Sequence, residues 1–207
     1  MKTLLILALI SVVSVPVLAS GIPDLFESYV VCAYEGTEHV IMLNLPNGTG
    51  SSFQNAHDSG GGLVDATITL FLLDNNQAPI SDFPMEDMWL QSEDGGLSLC
   101  VAGSTADANT DMLGMTQWVY PLHAGGYSQA PLEVLVNGMV IQNPPNLPIS
   151  FNSPDSNGDG WVNLVDVTNF SVDFFGAYNF RSDFHPDGLL NLVDVSLLAY
   201  GVGTSCP

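Results

Sequence analysis

Basic residues are almost missing from this chain. Only two of its 207 residues are Lys or Arg, against 22 Asp and Glu, and the formal net charge is −20. Such a surface repels phosphate backbones and anionic lipid headgroups, which argues against nucleic acids and membrane surfaces as partners. Divalent cations become the natural counter-charge, because clustered carboxylates repel one another at short distance.

Long apolar runs are also scarce, and the one that stands out is at the start of the chain. Met1–Thr3 is a short positive segment, Leu4–Leu18 is largely apolar, and Val17–Ala19 supplies a small-x-small cleavage pattern. The run is shorter than the ~20 apolar residues of a membrane-spanning helix. We therefore predict a signal peptide over residues 1–19 and a mature protein that is secreted, in the medium or at the cell surface.

Cysteine is scarce too, and the number of cysteines is odd. Cys32, Cys100 and Cys206 would meet an oxidising compartment after export, where one disulfide is expected and one thiol is left over. A bond between Cys32 and Cys100, within one domain, is our first expectation. Cys206 could instead pair with either of them or join two molecules, so the sequence leaves the pairing open.

Residues 20–143 alternate between short apolar segments and turn residues, which is typical of β structure. In Val64–Leu72 every second residue is apolar, so one face of a strand is expected to be buried. Leu132–Val136 and Met139–Ile141 flank Asn137-Gly138, a pair favoured by the type I′ hairpin turn. About seven such strands indicate a mainly β fold, a two-sheet sandwich.

Two stretches of this region, "VDATITLFLLDNNQAPI" and "TADANTDMLGMTQWVY", resemble bacterial Ig-like domains of the invasin and intimin type. In that family a strand ends in a D-x-N-G-x-P-type turn, and a T-D-x-x-G-x-x-aromatic segment begins a later strand. Thr110, Asp111, Gly114 and Trp118 match the second pattern. The resemblance implies an Ig-like β-sandwich that serves as a spacer or adhesive module. Residues 144–154, which contain four prolines, predict a stiff linker or an edge strand after it.

One twelve-residue pattern occurs twice near the C-terminus, as DSNGDGWVNLVD from residue 155 and as DFHPDGLLNLVD from residue 183. Calcium takes about six to eight hard oxygen ligands, and a twelve-residue loop with glycine at position 6 can wrap them around one ion. Positions 1, 3, 5, 9 and 12 offer side chains, and position 7 offers a backbone carbonyl. The candidate metal ligands of the first loop are Asp155, Asn157, Asp159, Trp161, Asn163 and Asp166.

The second loop offers the corresponding set with one weak member. Its candidate ligands are Asp183, His185, Asp187, Leu189, Asn191 and Asp194. His185 places an imidazole nitrogen, a softer donor, in a site of oxygen ligands. We therefore expect two calcium ions, the second bound more weakly, and no catalytic residues. Asp107–Asp111 also spells D-x-N-x-D, but Met112 at position 6 favours a simple turn between strands.

Each loop leads into a predicted helix, marked by apolar residues at helical spacing, but Pro154 and the short connector over residues 177–182 leave little room for a helix before either loop. This arrangement resembles type I dockerins, which carry two D-x-N-x-D-G-x-[hydrophobic]-N-x-x-D repeats, each followed by one helix. The resemblance covers residues 153–203. It implies that residues 155–207 form a module that folds with calcium and docks onto a cohesin-like protein partner.

Loop positions 10 and 11 are where dockerins often contact their partner. In this sequence the two positions are occupied by Leu164 and Val165 in the first repeat, and by Leu192 and Val193 in the second. Many dockerins carry Ser, Thr or other small polar residues there. The four apolar residues therefore form either a docking face or part of a core that packs inward, against the β domain or each other.

The leading hypothesis is thus a secreted, non-catalytic, calcium-binding protein that joins a β-sandwich to a dockerin-like module. It would dock in a cell-surface complex or in a system that degrades polysaccharide. One alternative is a structural subunit of an extracellular layer or fibre. Another is a carbohydrate-binding module, for which Trp89, Trp118 and Tyr120 would form a stacking platform. A small glycoside hydrolase would need two paired carboxylates, and no motif in the sequence pairs any.

Overall fold

The computed structural model describes residues 21–36 and 39–207, and it shows a β-rich domain followed by a C-terminal segment with two helices. The proposed signal peptide lies outside the described residues. Within them, no helix has the length and apolar character needed to cross a membrane. The strands and helices are β1 (Tyr29–Cys32), β2 (Val40–Leu43), β3 (Ala56–His57), β4 (Leu63–Val64), β5 (Ile68–Phe71), β6 (Met88–Ser92), β7 (Leu97–Leu99), β8 (Met115–Trp118), β9 (Ala124–Gly126), β10 (Leu132–Val136), β11 (Met139–Val140), β12 (Ile149–Asn152), α1 (Leu164–Phe174) and α2 (Leu192–Gly201), with short 3-10 helices at Phe53–Asn55, Met85–Asp87 and Phe180–Ser182.

The strands form small sheets with the orders β1-β5-β8, β11-β10-β6, β12-β2-β3-β4 and β7-β9. The neighbours in these sheets are antiparallel, except that β12 runs parallel to β2, with Ile149 opposite Val40 and Asn152 opposite Leu43. β12 comes from the proline-rich segment. Its pairing with β2 therefore fixes the point at which the chain leaves the β domain and enters the first loop.

One large cluster of buried side chains joins these sheets. Ala66, Ile68, Leu70 and Leu72 are fully buried in it, which confirms the face predicted from the alternation of apolar residues. Trp118 lies in the same cluster with 1% of its surface exposed, and its indole N–H donates to the Ser104 carbonyl at 2.9 Å. Trp118 therefore cannot contribute to a platform for stacking sugars.

The hairpin predicted at Asn137-Gly138 is present between β10 and β11. Leu135 pairs with Val140 and Val136 with Met139. Asn137 and Gly138 have φ values of 51° and 79°, as the two central positions of a type I′ turn require. The local sequence was sufficient here, because the turn type determines the register of the two strands.

A second, smaller cluster attaches the helices to the β domain. Successive residues of β2 point to opposite faces, so Val40 and Met42 enter the main core. Leu43 and the following Leu45 face the other way and pack with residues from the C-terminal segment, namely Val162, Phe170, Phe184 and Leu198. The C-terminal segment thus shares its core with a strand of the β domain.

The disulfide joins Cys100 to Cys206, whose Cα atoms lie 5.6 Å apart, so the expected Cys32–Cys100 bond is wrong. Cys32 ends β1, and its unpaired thiol faces the Ala66 carbonyl at 3.7 Å. Burial raises the pKa of that thiol. Cys100 instead follows β7 and meets the residues after α2. A disulfide is typical of proteins in an oxidising compartment, which agrees with export.

Candidate metal centre

The two repeats adopt the same hydrogen-bond pattern around their position-12 carboxylates. Asp166 accepts the backbone N–H of Asn157 at 3.3 Å and that of Asn163 at 2.9 Å. Asp194 accepts the N–H groups of the same two positions, 3 and 9, of its own loop at 3.0 and 2.9 Å. In both repeats the last carboxylate therefore closes the loop over its own backbone.

The position-1 carboxylate holds the sharp turn in each loop. Asp155 Oδ2 accepts the N–H of Gly160 at 2.9 Å, and Asp183 Oδ2 accepts that of Gly188 at 3.0 Å. The two glycines have φ values of 84° and 77°, a conformation that strains any residue with a Cβ atom. Glycine at position 6 is thus required by the turn, as the pattern predicted.

Positions 9 and 12 have a second role, which sequence reasoning missed: they begin the helices. Asn163 is the N-cap of α1, where its side chain accepts the Val165 N–H at 2.8 Å, and Asp166 completes a capping box. Asn191 and Asp194 form the same box at the start of α2. The N-x-x-D spacing of a capping box was visible in both repeats. Loop closure and helix initiation therefore depend on the same side chains.

The remaining candidate ligands lie on the exposed side of the loops. In the first loop, Asp159 Oδ1 accepts the Trp161 N–H at 3.0 Å, and Asp159 Oδ2 accepts the Asn157 amide at 2.9 Å. The Trp161 carbonyl accepts the Asn163 amide at 3.2 Å. In the second loop, Asp187 Oδ1 accepts the N–H of position 7 at 2.9 Å. These oxygens keep free lone pairs, since a carboxylate offers about four acceptor sites.

Burial of the loop carboxylates dominates the electrostatics. Asp155, Asp166 and Asp194 are fully buried, and Asp183 is 2% exposed. Burial raises the pKa of Asp155 to about 6, and the neighbouring charges of Asp166 and Asp159 act in the same direction. Burial also raises the pKa of Asp183, whose Oδ1 is buried without a hydrogen-bond partner. A bound cation is the usual means of stabilising such groups in their charged form.

Arg181, the strongly basic residue of the C-terminal segment, forms an ion pair with Asp173, which belongs to neither loop. Arg181 Nε lies 2.7 Å from Asp173 Oδ2, and Arg181 Nη2 donates to Asp173 Oδ1 at 3.1 Å. Burial alone would raise the pKa of Asp173, but hydrogen bonds from Arg181, Ser182 and Asn179 outweigh it and hold that pKa below its usual value. Arg181 is the only Lys or Arg among the described residues, so the loop carboxylates have no such partner.

The donor chemistry of the loops fits a hard cation. Among residues 21–36 and 39–207, no three His, Cys, Asp or Glu side chains converge as a ready-made metal site. The first loop nevertheless offers only oxygen donors, which suit calcium or magnesium rather than zinc or copper. The residues that would hold the ion there are Asp155, Asn157, Asp159 and Asp166, with the Trp161 carbonyl. The calcium assignment itself stays a prediction.

The apolar pairs at loop positions 10 and 11 face outward. Leu164 and Leu192 are 79% and 75% exposed, and Val165 and Val193 are 52% and 44% exposed. Of the two alternatives for these residues, inward packing is therefore wrong. Phe170 of α1 is buried in the second core, so α1 packs through a face that excludes Leu164.

Residues from outside the repeats surround both loops, and the sequence carried no signal for these contacts. The N–H of Gly126 in β9 donates to the Asp155 carbonyl at 2.7 Å, and a Cβ atom at Gly125 would collide with the Asp155 carboxylate. In the second loop, the Tyr178 hydroxyl donates to Asp183 Oδ2 at 2.8 Å. The ring of His57 lies 5.5 Å from that of His185. Each loop is thus packed against the β domain.

The D-x-N-x-D sequence at 107–111 connects strands. Asp107 Oδ2 accepts the Val119 N–H at 2.7 Å, and Asp111 Oδ1 accepts the N–H groups of Leu113 and Met115 at 2.8 and 3.0 Å. Both carboxylates therefore fasten turns of the β domain, as Met112 at position 6 led us to expect.

Comparisons with known proteins add little to this picture. No family model matches the chain, and no curated protein matches it either. Among solved structures, the chain is similar to the filamin domain of Lin-41, with 17% identity, a TM-score of 0.29, and coverage of 61% of this chain and 95% of that one. A TM-score this low supports no argument about fold or function. The Ig-like and dockerin resemblances therefore rest on the sequence motifs.

Proposed function

We propose that the chain is a secreted, non-catalytic calcium-binding protein whose residues 155–207 form a dockerin-like module that docks onto a protein partner. The observation that carries the proposal is the exposure of a Leu-Val pair at the same two positions of both repeats. Each pair begins a helix directly after a loop of matched geometry. The resemblance to Ig-like domains assigns the β domain the part of a spacer or adhesive module.

Calcium would supply positive charge to the loop carboxylates, which have no Lys or Arg partner among the described residues. A bound ion neutralises the position-1 and position-12 carboxylates, which are buried in both loops. Those position-12 carboxylates also cap α1 and α2. Ion binding would therefore fix where each helix begins, and with it the direction of the apolar pair on its first turn.

The docking face consists of Leu164, Val165, Leu192 and Val193. Each pair places two exposed apolar side chains next to each other in the sequence, and exposed apolar patches mark interaction surfaces more often than chance. The surrounding chain is acidic, with a formal net charge of −20 for the whole protein. Charge complementarity therefore favours a cohesin-like partner with an apolar patch rimmed by basic residues.

A binding experiment with matched variants tests this function. The mature chain is immobilised and exposed to the secreted fraction of the producing organism, with calcium or with chelator. The captured protein is then purified and titrated against wild type, against the double variant Leu164→Asp with Leu192→Asp, and against Met139→Asp. Met139 is 57% exposed on the β10–β11 hairpin, far from the loops in sequence, and serves as the control.

We expect calcium-dependent binding that the double variant loses and Met139→Asp keeps. Binding that survives the double variant would reject the docking face. Capture of further copies of this chain alone would favour the layer or fibre alternative, and retention on polysaccharide alone would favour the carbohydrate-binding one.

A further inference from the structure

The residues that follow α2 return to the first loop and pair with its middle. Residues 203–206, the C-terminal strand, run alongside residues 160–162, with Trp161 and Ser205 opposite each other. Backbone hydrogen bonds of 2.9–3.0 Å join the two segments, from Val162 to Thr204, from Gly203 to Val162 and from Cys206 to Gly160. The C-terminal strand thus holds both neighbours of Trp161, whose carbonyl is the candidate ligand at position 7.

The disulfide ties this strand to the β domain. Cys206 is bonded to Cys100, which directly follows β7. A Cβ atom at Gly160 would lie 3.1 Å from the Cys206 sulfur, so the bond passes close to the turn at position 6. The covalent link therefore holds the C-terminal strand at the point where it meets the first loop.

The pair of strands β7 and β9, to which Cys100 is adjacent, also contacts the start of the first loop. β7 pairs with β9, and Gly126 of β9 donates its N–H to the Asp155 carbonyl at 2.7 Å. A Cβ atom at Gly158 would collide with Ser98 of β7. The first loop is thus attached to the β7–β9 ribbon twice, directly at its start and through the C-terminal strand and the disulfide at its middle.

The second loop has no comparable support at its middle. A Cβ atom at Gly188 would meet nothing within 4 Å, whereas one at Gly160 would lie 3.1 Å from the Cys206 sulfur. Its packing against the rest of the protein lies in its first half instead: the Asp183 carboxylate accepts the Tyr178 hydroxyl, Phe184 lies in the second core, and the His185 ring lies near His57. The two loops therefore provide an internal comparison in which only one depends on the disulfide.

We propose that the Cys100–Cys206 disulfide is a positioning element of the first loop, so that forming this bond raises the calcium affinity of the first loop and leaves that of the second unchanged. The inference rests on the proposed function, because both loops must bind calcium. Its physical basis is pre-organisation. Without the bond, residues 203–206 are held against the first loop mainly by three backbone hydrogen bonds, and a segment with so few contacts opens easily. Ion binding must then order them as well.

The test is a calcium titration of the mature chain followed by ¹H–¹⁵N NMR. The amides of Gly160 and Gly188 report the two loops separately, since each donates to the position-1 carboxylate of its own loop. The variant Cys100→Ser with Cys206→Ser removes the bond, and Cys32→Ser, which removes the unpaired thiol, is the matched control. We expect the double variant to lose at least about tenfold in first-loop affinity, because ordering even one residue is worth roughly that factor.

Reduction of the wild type by dithiothreitol provides a second measurement that needs no substitution. Mass spectrometry confirms that the bond has opened into two thiols, and reoxidation must restore the first-loop affinity. Equal weakening of both loops, or no change in either, in the double variant and in the reduced wild type would overturn the positioning role. If neither glycine responds to calcium in the oxidised wild type, the proposed function itself fails.

Discussion

The first and second loops share most of their internal hydrogen bonds and differ in what surrounds them. In the first loop, the position-1 carboxylate of Asp155 lies against Gly125 of the β domain and accepts only backbone N–H groups. In the second, Asp183 also accepts the Tyr178 hydroxyl. The twelve residues of the repeat thus set the shape of each loop, whereas residues outside the repeat set how its ligands are occupied.

This difference gives two reasons for expecting a weaker second site. His185 stands where the first loop has an amide oxygen, and imidazole is a softer donor than calcium prefers. At Asp183 Oδ2 an ion would also have to compete with the Tyr178 O–H, which leaves Oδ1 as the unpaired oxygen of that carboxylate. Burial and the hydrogen bond to Asp183 raise the pKa of Tyr178 well above its ordinary value, so this proton stays in place at neutral pH.

Removal of calcium should have the largest effect and should act on both loops. In chelator, four buried carboxylates would lack a cation, and we expect α1 and α2 to lose protection from amide hydrogen exchange. Each site contributes about 4 kcal/mol when calcium exceeds its Kd a thousandfold. Hydrogen exchange of the mature chain with and without calcium measures this, and β10 and β6 of the main core serve as the internal control.

Equal protection of both helices in calcium and in chelator would contradict the calcium-folding hypothesis. Loss of protection throughout the β domain as well would show that the two cores unfold together. Leu43 at the end of β2 and Leu45 just after it pack in the second core and provide the physical connection between them.

The position-12 carboxylates should come next in effect and should separate the loops. Asp166→Asn removes the charge from a group that closes the first loop and caps α1, so we expect its calcium affinity to fall at least about a hundredfold, or about 3 kcal/mol. Asp194→Asn is the matched change in the second loop. Isothermal titration of both variants should show one site lost and the other kept; loss of both sites in either variant would mean that the loops bind as one unit.

The parts of the structure that the sequence predicted are those in which all interacting residues lie close together in the chain. Gly160 and Gly188 were identified from position 6 of the repeat, and the Asn137-Gly138 hairpin from its turn residues. In each case the decisive hydrogen bonds or φ values lie within one short segment. Local chemistry was then sufficient to give the backbone geometry.

The parts that failed depend on contacts between distant segments. The Cys100–Cys206 bond links residues 106 positions apart, and no spacing rule favours it over Cys32–Cys100. The apolar residues at helical spacing did not show which face of α1 is covered: α1 packs through Phe170 and leaves Leu164 exposed, because Leu43 and Leu45 lie against one face only. Such choices are made by the tertiary fold, so periodicity alone does not determine them.

Acidification should partly replace calcium, with a smaller effect centred on the first loop. Folding raises the pKa of Asp155 from 3.8 to about 6, so its contribution to stability is fully present below 3.8 and is lost as the pH rises through 6. Calcium-free protein should therefore regain protection of α1 between pH 7 and pH 5 by about 1 kcal/mol, part of the roughly 3 kcal/mol that the full pKa shift represents. Asp155→Asn should abolish the pH dependence of this protection, as hydrogen exchange at both pH values would show.

Asp173, also on α1, should contribute no change in stability between pH 7 and pH 5. Arg181 holds the pKa of Asp173 below its usual value. The stabilisation that this carboxylate gives is therefore complete above the ordinary Asp pKa, and it is lost only as the pH falls through the lowered pKa. If α1 in calcium-free wild type is no better protected from exchange at pH 5 than at pH 7, the pKa of Asp155 is not raised in the folded protein.

The smallest expected change would make the loops more alike. His185→Asn gives the second loop the residue that the first has at position 3, and an oxygen donor should raise its calcium affinity roughly three- to tenfold, about 1 kcal/mol. The gain is limited because Tyr178 still donates to Asp183 and because the His185 ring packs near His57. Asn157→His is the reciprocal change and should weaken the first loop. Isothermal titration of both variants checks the pair; unchanged affinity in His185→Asn would mean that position 3 contributes no ligand to the second site, and would leave Tyr178 as the remaining explanation for any weakness there.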